Sequence, residues 1–168
     1  MKTRALIRPT DLLRCEHATI LTTLEKLETL AADASRRTQL RDDRAWGVTS
    51  FLVSYLQNFH LEKEDHLLFP ALRDAGMPAD DGPLQGLKQE HEAARVLLRE
   101  MVDEVGKGLN DPSAFARASH SLIDLMRAHI RKENGALFVA AEDLLDEGAK
   151  LELLQAFRAR GTHGPFVE

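Results

Sequence analysis

The sequence holds one cysteine, Cys15, so the chain cannot staple itself with an internal disulfide, and a reducing compartment suits it. No window approaches the roughly 18 consecutive apolar residues of a membrane span. The N-terminal M-K-T-R-A-L-I-R-P-T has basic residues but no apolar run of signal-peptide length, so no membrane partner is expected and the cytoplasm is the expected compartment. An excess of positive charge is missing too. The formal net charge is −5, where nucleic-acid binding calls for a basic face, so no nucleic acid partner is expected. No block of like charge is long enough to serve as an interaction tail, and no alternating strand pattern stands out. What remains is the balance of a globular protein, 43% hydrophobic and 29% charged over 168 residues. That length suits a single domain, residues 1–168, able to bury a core of its own.

Long segments of helical periodicity fill the chain. After Pro9, Thr10 and Asp11 are good helix-starting residues, and Leu13, His17, Ile20, Leu24, Leu27 and Ala31 then form one stripe, which predicts a first helix over about residues 11–34. The polar stretch 35–43 reads as a connection. A second helix is expected over about 44–74, with Leu52, Leu56, His60, Glu64, Leu67 and Ala71 inward and Pro70 kinking or loosening its last turn. Glycines and prolines between Ala75 and Leu84 mark a loop. The third helix, about 83–107, turns Leu84, Leu87, His91, Ala94, Leu98, Met101 and Val105 inward. The fourth, about 113–145, buries Phe115, Leu122, Met126, His129, Glu133, Leu137 and Ala140. A short amphipathic helix over about 150–160 caps one end, and the tail is loosely held. Long helices joined by short loops predict an all-α, up-down-up-down antiparallel four-helix bundle with a core over about 11–145. No wider internal repeat is evident.

Each long helix carries one histidine in its inner stripe, where a leucine would be ordinary. Two add a glutamate one turn later, His60 with Glu64 and His129 with Glu133. A single such histidine would read as a core side chain satisfied by hydrogen bonds. Six groups on converging faces reverse that reading, because a lone buried carboxylate is costly and is tolerated by pairing, protonation or metal coordination. Imidazole and carboxylate suit iron, manganese or zinc. The natural content of His17, His60, Glu64, His91, His129 and Glu133 is two metal ions, each with two histidines and both bridged by the glutamates. An oxo, hydroxo or water bridge completes the coordination and leaves an open position for a small ligand. The competing reading turns the glutamates to a groove or pairs them with Arg95. His66 and His120 fall off these faces and His163 lies in the tail; Cys15 points elsewhere, and Tyr55 sits about 140° from His60 on an ideal helix. Arg95 is directed to the edge of the cluster, to pair with an outer acid such as Glu90 or to hold an anion. Glu62, Lys63 and Asp65 read as a solvated face, with Asp65 also able to support the site from behind.

Four pieces in order resemble the haemerythrin-like (HHE cation-binding) family: Glu16-His17, H-x-x-x-E followed by L-F-P from His60 to Pro70, Q-E-H-E-A-A-R from Gln89 to Arg95, and H-I-R-K-E-N-x-x-L-F from His129 to Phe138. The resemblance covers most of the chain. It implies an antiparallel bundle around a non-haem di-iron centre and assigns ligand roles to His17, His60, Glu64, His91, His129 and Glu133. The oxygen-carrying haemerythrins have a fifth histidine where this chain has Arg95, which cannot ligate while protonated. The pattern is also similar to the family's bacterial iron-centre repair and stress proteins, whose cysteine-containing N-terminal region is not matched here.

The expected function is therefore binding or reduction of a small oxidant (dioxygen, hydrogen peroxide or nitric oxide) in a stress-response or iron-handling role. A non-catalytic oxygen or iron sensor, or an iron storage and delivery module, stands as the alternative, with a metal-free interaction protein as the plain one. The sequence leaves open enzyme against sensor, the electron donor and the oligomeric state.

Overall fold

Helices start and stop where backbone groups can be satisfied. The computed structural model describes residues 7–36, 43–78 and 82–161; among these there are five helices and no strand. Helix α1 spans Pro9–Arg36. Helix α2 is continuous over 43–74, through Asp43–Phe51, Leu52–Leu61, Glu64–Leu68 and Phe69–Asp74. Helix α3 is Pro83–Gly106, and α4 runs over 112–144 through Pro112–Lys132, Glu133–Leu137 and Phe138–Leu144. The last, α5, is Glu147–Ala159. Pro9, Pro83 and Pro112 sit in first turns, where a missing N–H costs nothing. Asp111 and Asp146 cap α4 and α5 by accepting from the amides of Ala114 and Ala149. Gly76 ends α2 at φ +103°, a conformation glycine adopts without strain. Most of the connection expected at 35–43, and the tail with His163, lie outside the described residues.

The hydrophobic stripes of α1 and α3 are buried as the periodicity predicts, except for a half-buried Val105. Those of α2 and α4 differ past the glutamates. Leu67, Ala71 and Ala140 are only half-buried, while Leu68, Leu72 and Ala141 are fully inside. The cause is a change of helix type: Leu52–Leu61, Glu64–Leu68 and Glu133–Leu137 are π-helical. In an α-helix, residues four apart drift roughly 40° per step, so a line of them soon leaves the core. The wider turns cancel that drift and hold Leu52, Leu56, His60, Glu64, Leu68 and Leu72 in register. They also absorb Pro70, which enters the first turn of the α-helical stretch Phe69–Asp74 instead of breaking α2.

Helix α4 packs along α1 and α3, and α2 packs between α1 and α3 on the other side, so the long helices form a closed circuit. Helix α5 lies against α1 and α2. The core is split in two. One apolar layer is built around Ile20, Leu24, Leu56, Leu98, Phe115 and Met126, the other around Leu13, Phe69, Leu72, Leu87, Phe138 and Phe157. Between them lies a stratum of buried polar side chains: Glu16, His17, His60, Lys63, Glu64, His91, His129 and Glu133.

Candidate metal centre

The six side chains singled out from the sequence converge. His17, His60, Glu64 and Glu133 form one group, and Glu64, His91, His129 and Glu133 a second, with the contributing atoms of each group within 4.8 Å of one another. Both glutamates belong to both groups. Glu133 Oε2 lies 3.2 Å from the Nε2 atoms of His17 and of His129. Glu64 reaches His60 and His91 at 3.4 Å, using a different carboxylate oxygen for each.

What fixes the rings is the atom on their far side. His17 Nδ1 lies 2.9 Å from Asn134 Oδ1, and His60 Nδ1 2.9 Å from Glu16 Oε2. His91 Nδ1 lies 2.8 Å from Asp65 Oδ1, and His129 Nδ1 2.9 Å from Glu90 Oε2. These oxygens accept, so each Nδ1 carries the proton and each neutral ring presents a lone pair at Nε2. The inner atoms then have nothing to donate to one another. His17 Nε2, His60 Nε2 and all four carboxylate oxygens of Glu64 and Glu133 are buried without a hydrogen-bond partner, and His91 Nε2 faces His129 Nε2 at 3.2 Å. Acceptors aimed at acceptors in a dry interior repel unless a cation or protons lie between them. Nitrogen and carboxylate donors with a fixed tautomer are what iron, manganese or zinc takes, so the residues present fit a metal site.

Titration in the metal-free protein reflects the crowding. Burial and the neighbouring charge of Glu133 push the Glu64 carboxyl well above the usual carboxylate range, while the His129 and His17 imidazoles, once protonated on the side that faces it, outweigh burial and hold Glu133 below it. Burial brings His60 down to about 4. For His17 and His129 burial is outweighed by the Glu133 carboxylate facing Nε2 and by the charge of Glu64, so both are raised and take a second proton on that side more readily than a free imidazole.

The orienting residues follow a rule that periodicity did not reveal. Each is the sequence neighbour of an inner residue on one helix and serves the histidine of the next: Glu16 of α1 serves α2, Asp65 of α2 serves α3, Glu90 of α3 serves α4, and Asn134 of α4 serves α1. Each is held from behind by a cation of the helix it serves: Lys63 on Glu16, Arg95 on Asp65, Lys132 on Glu90, and Arg14 on Asn134. Arg95 thus pairs with Asp65, Glu92 and Glu62, with Glu90 taken by Lys132. Lys63, expected on a solvated face, is instead 1% exposed, its ammonium on Glu16 and 3.6 Å over the Phe59 ring. The signal available in the sequence was the acid or amide flanking each inner residue.

A repeat also emerges. Residues 60–72 and 129–141 share His, Lys, Glu, Leu, Phe and Ala at matching positions. Phe69 stacks on His91 and Phe138 on His17, both at 5.4 Å, and the pairs His17–His60 and His91–His129 meet edge-on at 4.7 and 4.8 Å. The pocket therefore has two halves of similar build. Among the described residues, the remaining histidines, the thiol and Tyr55, whose role the sequence left open, stay outside the group. His66 and His120 are exposed, as is the free thiol of Cys15, and Tyr55 stacks on Phe51 with its hydroxyl bonded to Thr19. Next to Glu90 and Lys132, an apolar cavity of about 480 Å³ is lined by Met77, Pro83, Leu87, Leu137 and Ala140.

A helical bundle with a buried histidine and carboxylate pocket defines a class of cation-binding proteins, and comparison with known sequences identifies which one. The hemerythrin HHE cation-binding domain matches residues 8–141, so the chain belongs to that family. Curated relatives include the iron-sulfur cluster repair protein YtfE of Salmonella typhimurium, 26% identical over 129 residues, and that of Enterobacter sp., 28% identical over 130 residues. In both cases the match takes in 70% of this chain and 58% of the relative. No solved structure matches significantly. Among the described residues no helix is long and apolar enough to cross a membrane.

Proposed function

We propose that His17, His60, Glu64, His91, His129 and Glu133 ligate two iron ions, with both glutamates shared, and that the loaded protein binds or reduces dioxygen, hydrogen peroxide or nitric oxide. One observation carries the reading: buried acceptor atoms from four helices face one another with no proton donor between them. Ferrous iron held there would supply one electron per ion to the oxidant, becoming ferric, and an external electron donor would return it to the ferrous state for a further turnover. The chain's own part is to hold each Nε2 lone pair towards the ion through its Nδ1 partner and to exclude water with the apolar layers on either side. Manganese and zinc suit the same donors, and metal supply selects among them.

The same reading takes the long helices as an up-down-up-down bundle, with two supports. Only six residues separate Arg36 from Asp43, a reach of roughly 25 Å, against ~42 Å for the length of α1, so two neighbours running the same way could not be joined. The orienting residues also alternate in offset: one position before the inner residue on α1 and α3, one after it on α2 and α4. On right-handed helices those offsets turn in one sense around the circuit only when successive helices alternate in direction.

A second reading rests on the relatives' name: iron held here is delivered to iron-sulfur clusters under repair. Metal analysis and consumption of the three oxidants on one preparation test the proposal. Two irons per chain, with turnover lost in Glu64→Ala and Glu133→Ala, are expected. A reconstituted protein that holds no metal overturns it, and iron transfer to a cluster-free acceptor without oxidant turnover favours delivery.

A further inference from the structure

The two halves of the pocket are alike in their histidine pairs, shared glutamates and stacked phenylalanines, and differ in their orienting groups. Asp65 and Asn134 occupy equivalent positions, each one residue after a shared glutamate, yet one is a carboxylate and the other a neutral amide. The charges behind them follow suit. Around His91 and His129, Asp65 and Glu90 offset Arg95 and Lys132, and the Lys132 side chain is 57% exposed, so solvent screens it. Around His17 and His60 a single carboxylate, Glu16, faces two cations, Arg14 and a Lys63 ammonium that is almost wholly buried. A carboxylate behind an imidazole raises its basicity, whereas an amide only orients it. An unscreened positive charge nearby opposes a cation directly.

Resting on the ligand assignment proposed above, we infer that the two metal positions are unequal: the His91–His129 position fills first and holds its ion, while the His17–His60 position, with Asn134 and Arg14 behind it, fills second and gives its ion up first. The exchangeable ion of this protein is the one beside α1, and any step that releases or transfers a single metal from the fully loaded protein, or restores it, uses that position.

Titration of the metal-free full chain with cobalt(II) against a competing chelator, read by the cobalt absorption bands, tests this. Two equal positions would also fill in two steps, because neighbouring cations repel, so variants must assign the steps. Asn134→Asp is expected to strengthen the weaker step about 10-fold and leave the tighter one within about threefold, and Asp65→Asn to weaken the tighter step about 10-fold. Arg14→Met, which leaves both shared carboxylates in place, is expected to strengthen the weaker step as well. His17→Ala should retain one tightly held cobalt, and His129→Ala one weakly held. Two cobalt ions bound with the reverse assignment, or an Asn134→Asp variant of native helix content that alters neither step, overturns the inequality alone. A wild-type chain that binds no cobalt overturns the ligand assignment itself.

Discussion

Replacing Lys63 with methionine tests the layered electrostatics at its most buried point. The Lys63 ammonium sits on Glu16, over the ring of Phe59 and 5.6 Å from that of Phe157. Methionine keeps the volume and the contact with both rings but removes the charge. Glu16, 3% exposed, then keeps the His60 Nδ1–H, 2.9 Å away, as its donor. Breaking a buried ion pair from one side costs about 3–5 kcal/mol. The surviving bond from His60 retains part of that, so a loss of about 3 kcal/mol is expected. For a chain of this size that corresponds to a fall of ~6–12 °C in Tm. Urea denaturation of the metal-free protein in the presence of chelator, followed by circular dichroism, isolates the effect from metal linkage. Glu16→Gln combined with Lys63→Met removes the orphaned charge as well, and the double variant should be more stable than Lys63→Met alone. A loss under about 1 kcal/mol for Lys63→Met, or a strictly additive double variant, refutes the argument that these charges depend on each other.

Glu64→Gln should act in opposite directions on fold and function. Its carboxyl is raised by burial and by Glu133, so in the metal-free protein it makes no difference to folding at pH below the unfolded value of 4.5, costs progressively more as pH rises above that, and opposes folding in full once pH has passed its folded value. The variant is therefore expected to stabilise the metal-free protein by about 1–3 kcal/mol at pH 8, with no gain at pH 4, while weakening cobalt uptake; urea midpoints at the two pH values check it. Because His17 and His129 are raised, both hold protons to higher pH than a free histidine, and metal entry must expel them. Proton release on adding cobalt, followed in a pH-stat at pH 7.5, should exceed that expected of two free histidines; no release there would contradict the raised values. Saturating metal at about 100 times its Kd should stabilise the fold by about 2.7 kcal/mol per site, read as a rise in Tm that chelator abolishes.

The parts of this architecture legible in the sequence are those that depend on one helix at a time. Leu13, His17, Ile20, Leu24 and Leu27 advertise their face by ordinary helical spacing, and the structure buries them all. Past Glu64 the same logic fails at Leu67 against Leu68. Both are leucines, and only the widening of the helix decides which turns inward. Lys63 was unreadable for a different reason. It stands in the run Glu62-Lys63-Glu64-Asp65, which looks solvated, and its burial is decided by Glu16 from α1 and by the aromatic rings above it. The orienting residues fall between these cases. Glu16 and Glu90 are visible as acids preceding a histidine, but which ring each one serves is settled by the packing of adjacent helices.

That assignment across helices shapes the behaviour of the whole pocket. Were each histidine oriented by its own helix, a helix could slide or roll and carry a correctly aimed ligand with it. Here the residue that aims a ring always sits on the neighbouring helix, and the cation that steadies that residue sits back on the first. A small rotation of α1 therefore misaims His60 through Glu16 and pulls Arg14 from Asn134 at the same time. Each interface is crossed in both directions, and the circuit closes only when all four helices are docked. With the proposed ligand set, ion binding would draw on four interfaces instead of one, while the carboxylates and imidazoles crowded together in the metal-free protein oppose docking at all four. The apolar layers above and below must outweigh that opposition, which is why a polar stratum this deep lies between two cores rather than at the end of one.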